Sequence, residues 1–265
     1  MWEGMLQCLK WYNVDINYSL FFYYSLLCDF FYHYSQLFII KIGFVSDNLT
    51  VLIFASSVNK VYFHRGFRGP HNIDIISIII GSILGDTQLE KRYKGLGTRI
   101  IFEQSNKNVE YLMWFHNYFA SRGYCNINKP KLHTRIKKDN KVYFHFRVNS
   151  YTFSSFNWLH DMFYVNSTKI VPFNIEEYLT PLALAIWFMD GGSKLKHGVR
   201  IATNNFTLNE VQFLCHILYK KYNLIATVHT GGKGKGYVFY INNKSLFISL
   251  VKPYMIPSMY YKIGL

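Results

Sequence analysis

The sequence predicts an α+β protein built from two pseudo-symmetric copies of one αββαββα pattern, and three observations predict it. Two helix-length apolar runs each end in an acid beside glycine: Ile79-Ile80-Gly81-Ser82-Ile83-Leu84-Gly85-Asp86 and Leu184-Ala185-Ile186-Trp187-Phe188-Met189-Asp190-Gly191. After each run come β-type segments and an amphipathic helix in the same order. Several of the β segments alternate apolar and polar residues, as antiparallel strands with one covered and one open face do.

The acidic ends are the unusual part. A helix carries partial negative charge at its carboxyl end, so an aspartate there is disfavoured unless a cation compensates. Two such ends in one chain suggest paired carboxylates, Asp86 and Asp190, that hold a metal.

In the first copy, Asn72 or Asp74 starts a helix that stops at Gly85, a rod of roughly 20 Å at 1.5 Å per residue. β-type runs at 88–92 and 98–104 follow, separated by Gly95-Leu96-Gly97. Residues 106–122 read as an amphipathic helix. The segment 141–148 alternates strictly, with Val142, Phe144, Phe146 and Val148 as its apolar side, and a third helix at 153–163 closes the unit. The second copy starts at Thr180-Pro181, a strong helix opening, and its helix ends at Gly191-Gly192. A strand at 199–203, a helix at 207–222, a hairpin of 227–230 with 237–241 and a last helix at 243–253 complete it. The copies span 71–173 and 174–265, and residues 1–70 form an N-terminal extension.

Composition narrows the partner. Lys and Arg number 29 against 15 Asp and Glu, a net charge of +14 that favours a polyanion through attraction and counterion release. Half the 265 residues are hydrophobic, enough for a sizeable core. The 23 Phe and 22 Tyr, with abundant Ile, Asn and Lys, fit A+T-rich codons. Cys8, Cys28, Cys125 and Cys215 form no CxxC pair, which argues against a zinc site or a disulfide framework and for a reducing compartment. In the extension, Asp29, His33 and Lys41 interrupt the apolar stretches, so no run reaches the eighteen or so residues of a membrane span. Acids occur early and the first arginine is Arg65, which does not suit an import presequence. The region reads as a membrane-associated helix or as a translated leader carried in from upstream reading frame, and the leader is the favoured reading.

The open sides of the hairpins carry the nucleic-acid chemistry. Lys141, Tyr143, His145 and Arg147 fall on one side, and Lys129, Lys131, His133 and Arg135 show the same two-residue spacing upstream. Arginine and lysine read guanine edges, and other polar side chains hold phosphates. The loop Gly231-Gly232-Lys233-Gly234-Lys235-Gly236 lacks Walker spacing, so Lys233 and Lys235 are read as a hairpin tip near a phosphate rather than a nucleotide site. His116, His160 and His216 lie in apolar helical contexts and are read as core or surface residues.

These residues together resemble the LAGLIDADG homing endonucleases in their single-chain, two-motif form. Besides the motif pair, Phe102-Glu103-Gln104-Ser105, Lys107-Asn108-Val109-Glu110-Tyr111-Leu112, Tyr178-Leu179-Thr180-Pro181 and Lys252-Pro253-Tyr254-Met255-Ile256-Pro257 carry the likeness. The resemblance implies a saddle of antiparallel sheets around a central two-helix interface, with Gly81 and Gly85 permitting close approach. It implies Asp86 and Asp190 as catalytic residues and ligands of a divalent cation, usually Mg²⁺. By Val165-Asn166-Ser167-Thr168-Lys169 and Met259-Tyr260-Tyr261-Lys262, it assigns Lys169 and Lys262 as catalytic lysines and places Glu103 at the rim of the site.

The implied function is an intron-encoded endonuclease, monomeric and mitochondrial or from another organelle with an A+T-rich genome. It would cut double-stranded DNA at a long asymmetric site, with no membrane partner. One departure bears on this. The second motif reads Asp190-Gly191 where the family has two aspartates, so the missing carboxylate is the catalytic one. Asp190, one residue early, is turned by about 100° on a helix. The alternative is therefore an RNA-splicing maturase acting on its host intron RNA, with cleavage lost or reduced to nicking.

Overall fold

The computed structural model describes residues 39–40, 53–54, 70–92, 97–136, 140–232 and 234–265. Packing divides the chain into Met1–Tyr62 and Phe63–Leu265. In the first unit the described residues pair Ile39–Ile40 with Ile53–Phe54 in a two-residue antiparallel ladder. The expected leader otherwise lies outside the described residues. Among the described residues no helix is long and apolar enough to cross a membrane.

The second unit is organised around two helices, α1 (Ile73–Leu84) and, later in the chain, a partner at Pro181–Gly191. The Asn72 side chain caps α1 by accepting from the Asp74 N–H, and every residue from Ile75 to Leu84 is buried. A helix that is apolar all round belongs in the interior. After α1 come β1 (Gln88–Lys91), β2 (Thr98–Ser105), α2 (Val109–Ser121), β3 (Leu132–Ile136), β4 (Val142–Asn149) and α3 (Asn157–Phe163). A tight hairpin, β5 (Tyr164–Val165) with β6 (Thr168–Lys169), turns through Asn166 and Ser167 at φ +48° and +63°. Positive φ at both central residues is what a two-residue hairpin of this twist requires.

The second repeat runs α4 (Ile175–Tyr178), α5 (Pro181–Gly191), β7 (Gly192–Lys194), β8 (Val199–Thr203), α6 (Leu208–Tyr222), β9 (Ala226–Thr230), β10 (Tyr237–Ile241) and α7 (Lys244–Val251). Thr180 caps α5 through the Ala183 N–H, with Pro181 at the first helical position. Both sheets are antiparallel and share one connectivity: β1-β2-β4-β3 in the first repeat and β7-β8-β10-β9 in the second. Each repeat lays its amphipathic helix on one face of its sheet. In the first, Phe115 of α2 stacks on Phe102 at 4.0 Å and on Phe119 at 4.2 Å. In the second, α6 begins with a complete capping box between Thr207 and Glu210 and buries Val211, Leu214, Ile217 and Leu218.

Four expectations change. The helix expected at 106–122 opens with a 3₁₀ turn, Asn106–Asn108, before α2 begins. At 153–163 only Asn157–Phe163 is α-helical, after a 3₁₀ turn at Ser154–Phe156. The last helix stops at Val251, because Pro253 has no N–H to continue it, and passes into a 3₁₀ turn. On β4, Val148 is buried, but Val142 and Phe144 are 50% and 43% exposed. The apolar alternation there runs past the end of the covering layer. The turn expected at Gly95-Leu96-Gly97 is described only at Gly97.

α1 and α5 cross in direct contact. A Cβ on Gly81 would sit 2.2 Å from the Ala183 carbonyl oxygen and 2.8 Å from the Ile186 Cβ. At the amino-terminal side of the contact, the Thr180 hydroxyl donates to Ser77 Oγ at 2.8 Å. Gly81→Ala must push the helices apart, at a cost of about 2–3 kcal/mol for an overpacked core. Thermal unfolding of this variant should fall by roughly 4–12 °C. An unchanged midpoint would mean the two helices do not meet at Gly81.

Candidate active site and nucleic-acid interface

Both central helices end without a basic residue in their last turn, yet each end is met by a lysine from elsewhere in its own repeat. Lys169, presented by the β5–β6 hairpin, donates from Nζ to the Gly85 and Thr87 carbonyls at 3.1 and 3.2 Å. Lys262, in the terminal 3₁₀ turn Pro257–Lys262, donates to the carbonyls of Met189 and Asp190, the latter at 3.0 Å. These are the cations that a helix ending in a carboxylate needs. Burial lowers the pKa of Lys169 to about 8, against the opposing pull of the Asp86 and Asp190 carboxylates. Lys262 is lowered for the same reason, opposed by the same two acids.

The two acids differ in kind. Asp86 is exposed just past the end of α1, and its carboxylate makes no hydrogen bond or ion pair among the described residues. Asp190 is turned into the helix interface. A Cβ on Gly85 would lie 2.5 Å from both Cβ and Oδ2 of Asp190, so the carboxylate occupies the space that glycine leaves. Gln104 Nε2 donates to Asp190 Oδ1 at 3.1 Å, Asn108 donates to Gln104 Oε1 at 3.2 Å, and the Tyr111 hydroxyl lies against the same carboxylate. Burial first, then the neighbouring Asp86 charge, push the Asp190 carboxyl well above its ordinary range.

Because Gly85 faces Asp190 across the interface, the residues that follow them, Asp86 and Gly191, are the related pair. Asp190 is expected to share a cation with Asp86; here Gln104 holds its Oδ1, while its Oδ2 has no hydrogen-bond partner among the described residues. Gly191 and Asp86 instead line one small hollow with Ala202, Thr203 and Asn204.

The open face of the first sheet gathers the basic residues around Glu103. Arg147 donates to Glu103 Oε2 from Nε at 2.9 Å and from Nη2 at 2.7 Å, while Arg135 and His145 lie 3.8 and 3.7 Å from Oε1. Register puts Glu103 beside Arg147, His145 beside His133 and Tyr143 beside Arg135, all on one side. The rings of His133 and His145 stack at 5.5 Å. Glu90 likewise holds Arg99 and Arg92. Lys141 and Tyr143 are exposed along the hairpin, and Lys129 and Lys131 are exposed in the connection before β3 rather than on a strand. Lys235 is exposed in the β9–β10 turn, and Lys233 lies outside the described residues. His116 is buried against the Asn126 carbonyl, whereas His216 is exposed.

The sequence profile described as the LAGLIDADG DNA endonuclease family matches residues 76–247. The chain belongs to that family. It is 42% identical over 200 residues to the cytochrome b mRNA maturase bI2 of Debaryomyces hansenii, covering 75% of this chain and 76% of the relative. It is 43% identical over 205 residues to the protein of the same name in Saccharomyces cerevisiae, of which it spans about half, 48%. Among solved structures, it is similar to the homing endonuclease I-WcaI bound to its DNA recognition sequence. There the identity is 27% and the TM-score 0.70, covering 79% of this chain and 94% of that one.

The second sheet's open face is lined by residues outside those named from the sequence. Arg200 pairs with Tyr240 and with Ser193, and Tyr240 pairs with Thr227. The Thr227 hydroxyl and His229 Nε2 are 3.1 Å apart, and His229 packs edge-on to Tyr240 at 4.5 Å. The signal was present: Val199, Ile201 and Thr203 are buried while Arg200 between them is exposed, the same alternation read in β4. Gln104, which donates to Asp190, has no such signal.

The lowered pKa of Lys169 gives a stability signature. Between about pH 8 and its unfolded value near 10.4, the unfolded chain holds a proton that folded Lys169 has released. Stability therefore gains an increment as pH rises through that window. Chemical denaturation of the Lys169→Met variant should lack this increment relative to the wild type. Parallel pH profiles for the two proteins would contradict the buried placement of this amine.

Proposed function

We propose that this protein is an intron-encoded homing endonuclease. It binds double-stranded DNA across the open faces of its two sheets and hydrolyses a phosphodiester at the end of α1. The observation that carries the reading is Asp86: a solvent-facing carboxylate with no partner among the described residues, at the edge of a face lined by Arg135, Arg147 and Glu103. Its donor set suits a divalent cation, and Mg²⁺ in particular, which is held by one or two carboxylates plus substrate phosphate and water rather than by a full protein cage. Among the described residues there is no cluster of three or more metal-ligating side chains.

When bound, the cation supplies a polarised water and charge stabilisation at the phosphate. The chain's own part is to orient. Asp86 would hold the cation, Lys169 pins the helix end that carries it, and Lys262 does the same for α5. At neutral pH Lys169 is mostly protonated and adds positive charge beside the phosphate. Two unlike repeats in one chain suit a monomer on an asymmetric target, and the relatives' cytochrome b names suit a mitochondrion or another organelle with an A+T-rich genome.

A second reading, an RNA-splicing maturase on the same scaffold, is favoured by Gly191 and by the names of the two yeast relatives. The +14 charge serves intron RNA as well as DNA. Binding and cleavage should be measured on a duplex spanning the intronless insertion site, with the full chain and Mg²⁺. The logarithm of the binding constant should fall linearly and steeply with log salt. Asp86→Asn should retain binding and lose cleavage by at least about 100-fold, the scale for removing one electrostatic group from a reacting centre. Binding of host intron RNA with no cleavage of DNA by the wild type would favour the maturase.

A further inference from the structure

The junction of the two central helices contains four glycines, and they are not equivalent. A Cβ would collide at Gly81, at Gly85, where Asp190 lies 2.5 Å away, and at Gly192, where the Phe188 ring lies 2.1 Å away. At Gly191 it would meet only Ala202, at 3.4 Å from the carbonyl oxygen and 3.8 Å from Cβ, which is ordinary contact. Nor does Gly191 adopt the positive φ that would favour glycine. Neither packing nor backbone conformation requires glycine there.

Position 191 is related to Asp86 by the pseudo-symmetry of the helix pair, and among the described residues lining the hollow between them Asp86 is the only acid. The adjacent Asp190 is not among the residues that line that hollow. Its Oδ1 is held by Gln104, its side chain fills the space above Gly85, and Lys262 fixes its carbonyl.

From this geometry we infer that the protein cuts one strand of its target only, at the phosphate against the end of α1. The half-site at Gly191 has room for a Cβ but carries no carboxylate. This inference rests on the hydrolase reading above and adds strand asymmetry to it. In the single step, a water oxygen bonds to phosphorus and the bond from phosphorus to one sugar oxygen breaks. That oxygen gains a proton from solvent as the attacking water gives one up. The opposite strand, lacking a carboxylate to place a cation, stays intact.

The test uses the full-length chain and a supercoiled plasmid carrying the intronless insertion site, together with a duplex labelled separately on each strand. The wild type should give open circles, with every nick on one strand. Gly191→Asp should give linear DNA, raising the linear-to-nicked ratio at least about tenfold, as one added carboxylate ligand would. The double variant Asp86→Asn, Gly191→Asp should move the nick to the other strand.

A readout independent of turnover is Ca²⁺ uptake by the protein–DNA complex, measured by calorimetry, in which Gly191→Asp should take up one more ion than the wild type. Linear product from the wild type, or nicks shared between both strands, would overturn the inference while leaving the hydrolase reading in place. A wild type that binds the duplex but cuts neither strand would overturn that reading, and this one with it. The strand labelling of the wild type decides the matter even if Gly191→Asp fails to fold.

Discussion

The contact between α1 and α5 is the constraint on which the rest depends. It is close enough that a single methyl group at Gly81 would overlap the Ala183 carbonyl. Two apolar helices packed at that distance bring their carboxyl ends, and so the carbonyls and acids there, into one small volume. Negative potential accumulates at that point, and the chain answers it with lysines, a half-buried Lys169 on one end and a buried Lys262 on the other. Each sheet starts directly from a helix end, so the same contact fixes where the open faces lie relative to Asp86.

The same closeness explains what became of Asp190. A carboxylate at that position would be expensive to bury charged, and the structure makes room for it only because Gly85 has no side chain. Gln104 and Tyr111, from the first repeat, then give it polar neighbours. Asp190 is thus an acid of the interface, held in the neutral direction by burial.

Much of this was legible in the sequence, for reasons that can be named. The central helices announced themselves as apolar all round, and Thr180-Pro181 and Thr207 with Glu210 marked helix starts by satisfying orphan N–H groups. The one-residue offset of Asp190 was readable from the motif count. Lys169 and Lys262 came from the family resemblance and not from spacing, since nothing local ties a lysine to a helix 70 or 80 residues away. What stayed hidden has the same cause. The hold of Gln104 on Asp190 spans 86 residues, and no periodicity encodes it. Val142 and Phe144 are exposed because alternation reports which side a residue faces, not whether another layer extends that far.

The most direct test of the account is an anomalous difference map of a Mn²⁺-soaked crystal of the protein with its intronless target duplex. It should show a cation peak ligated by Asp86 and a DNA phosphate oxygen, no peak beside Gly191, and the Asp190 side chain still packed over Gly85. A cation coordinated by the carboxylate of Asp190 would contradict it.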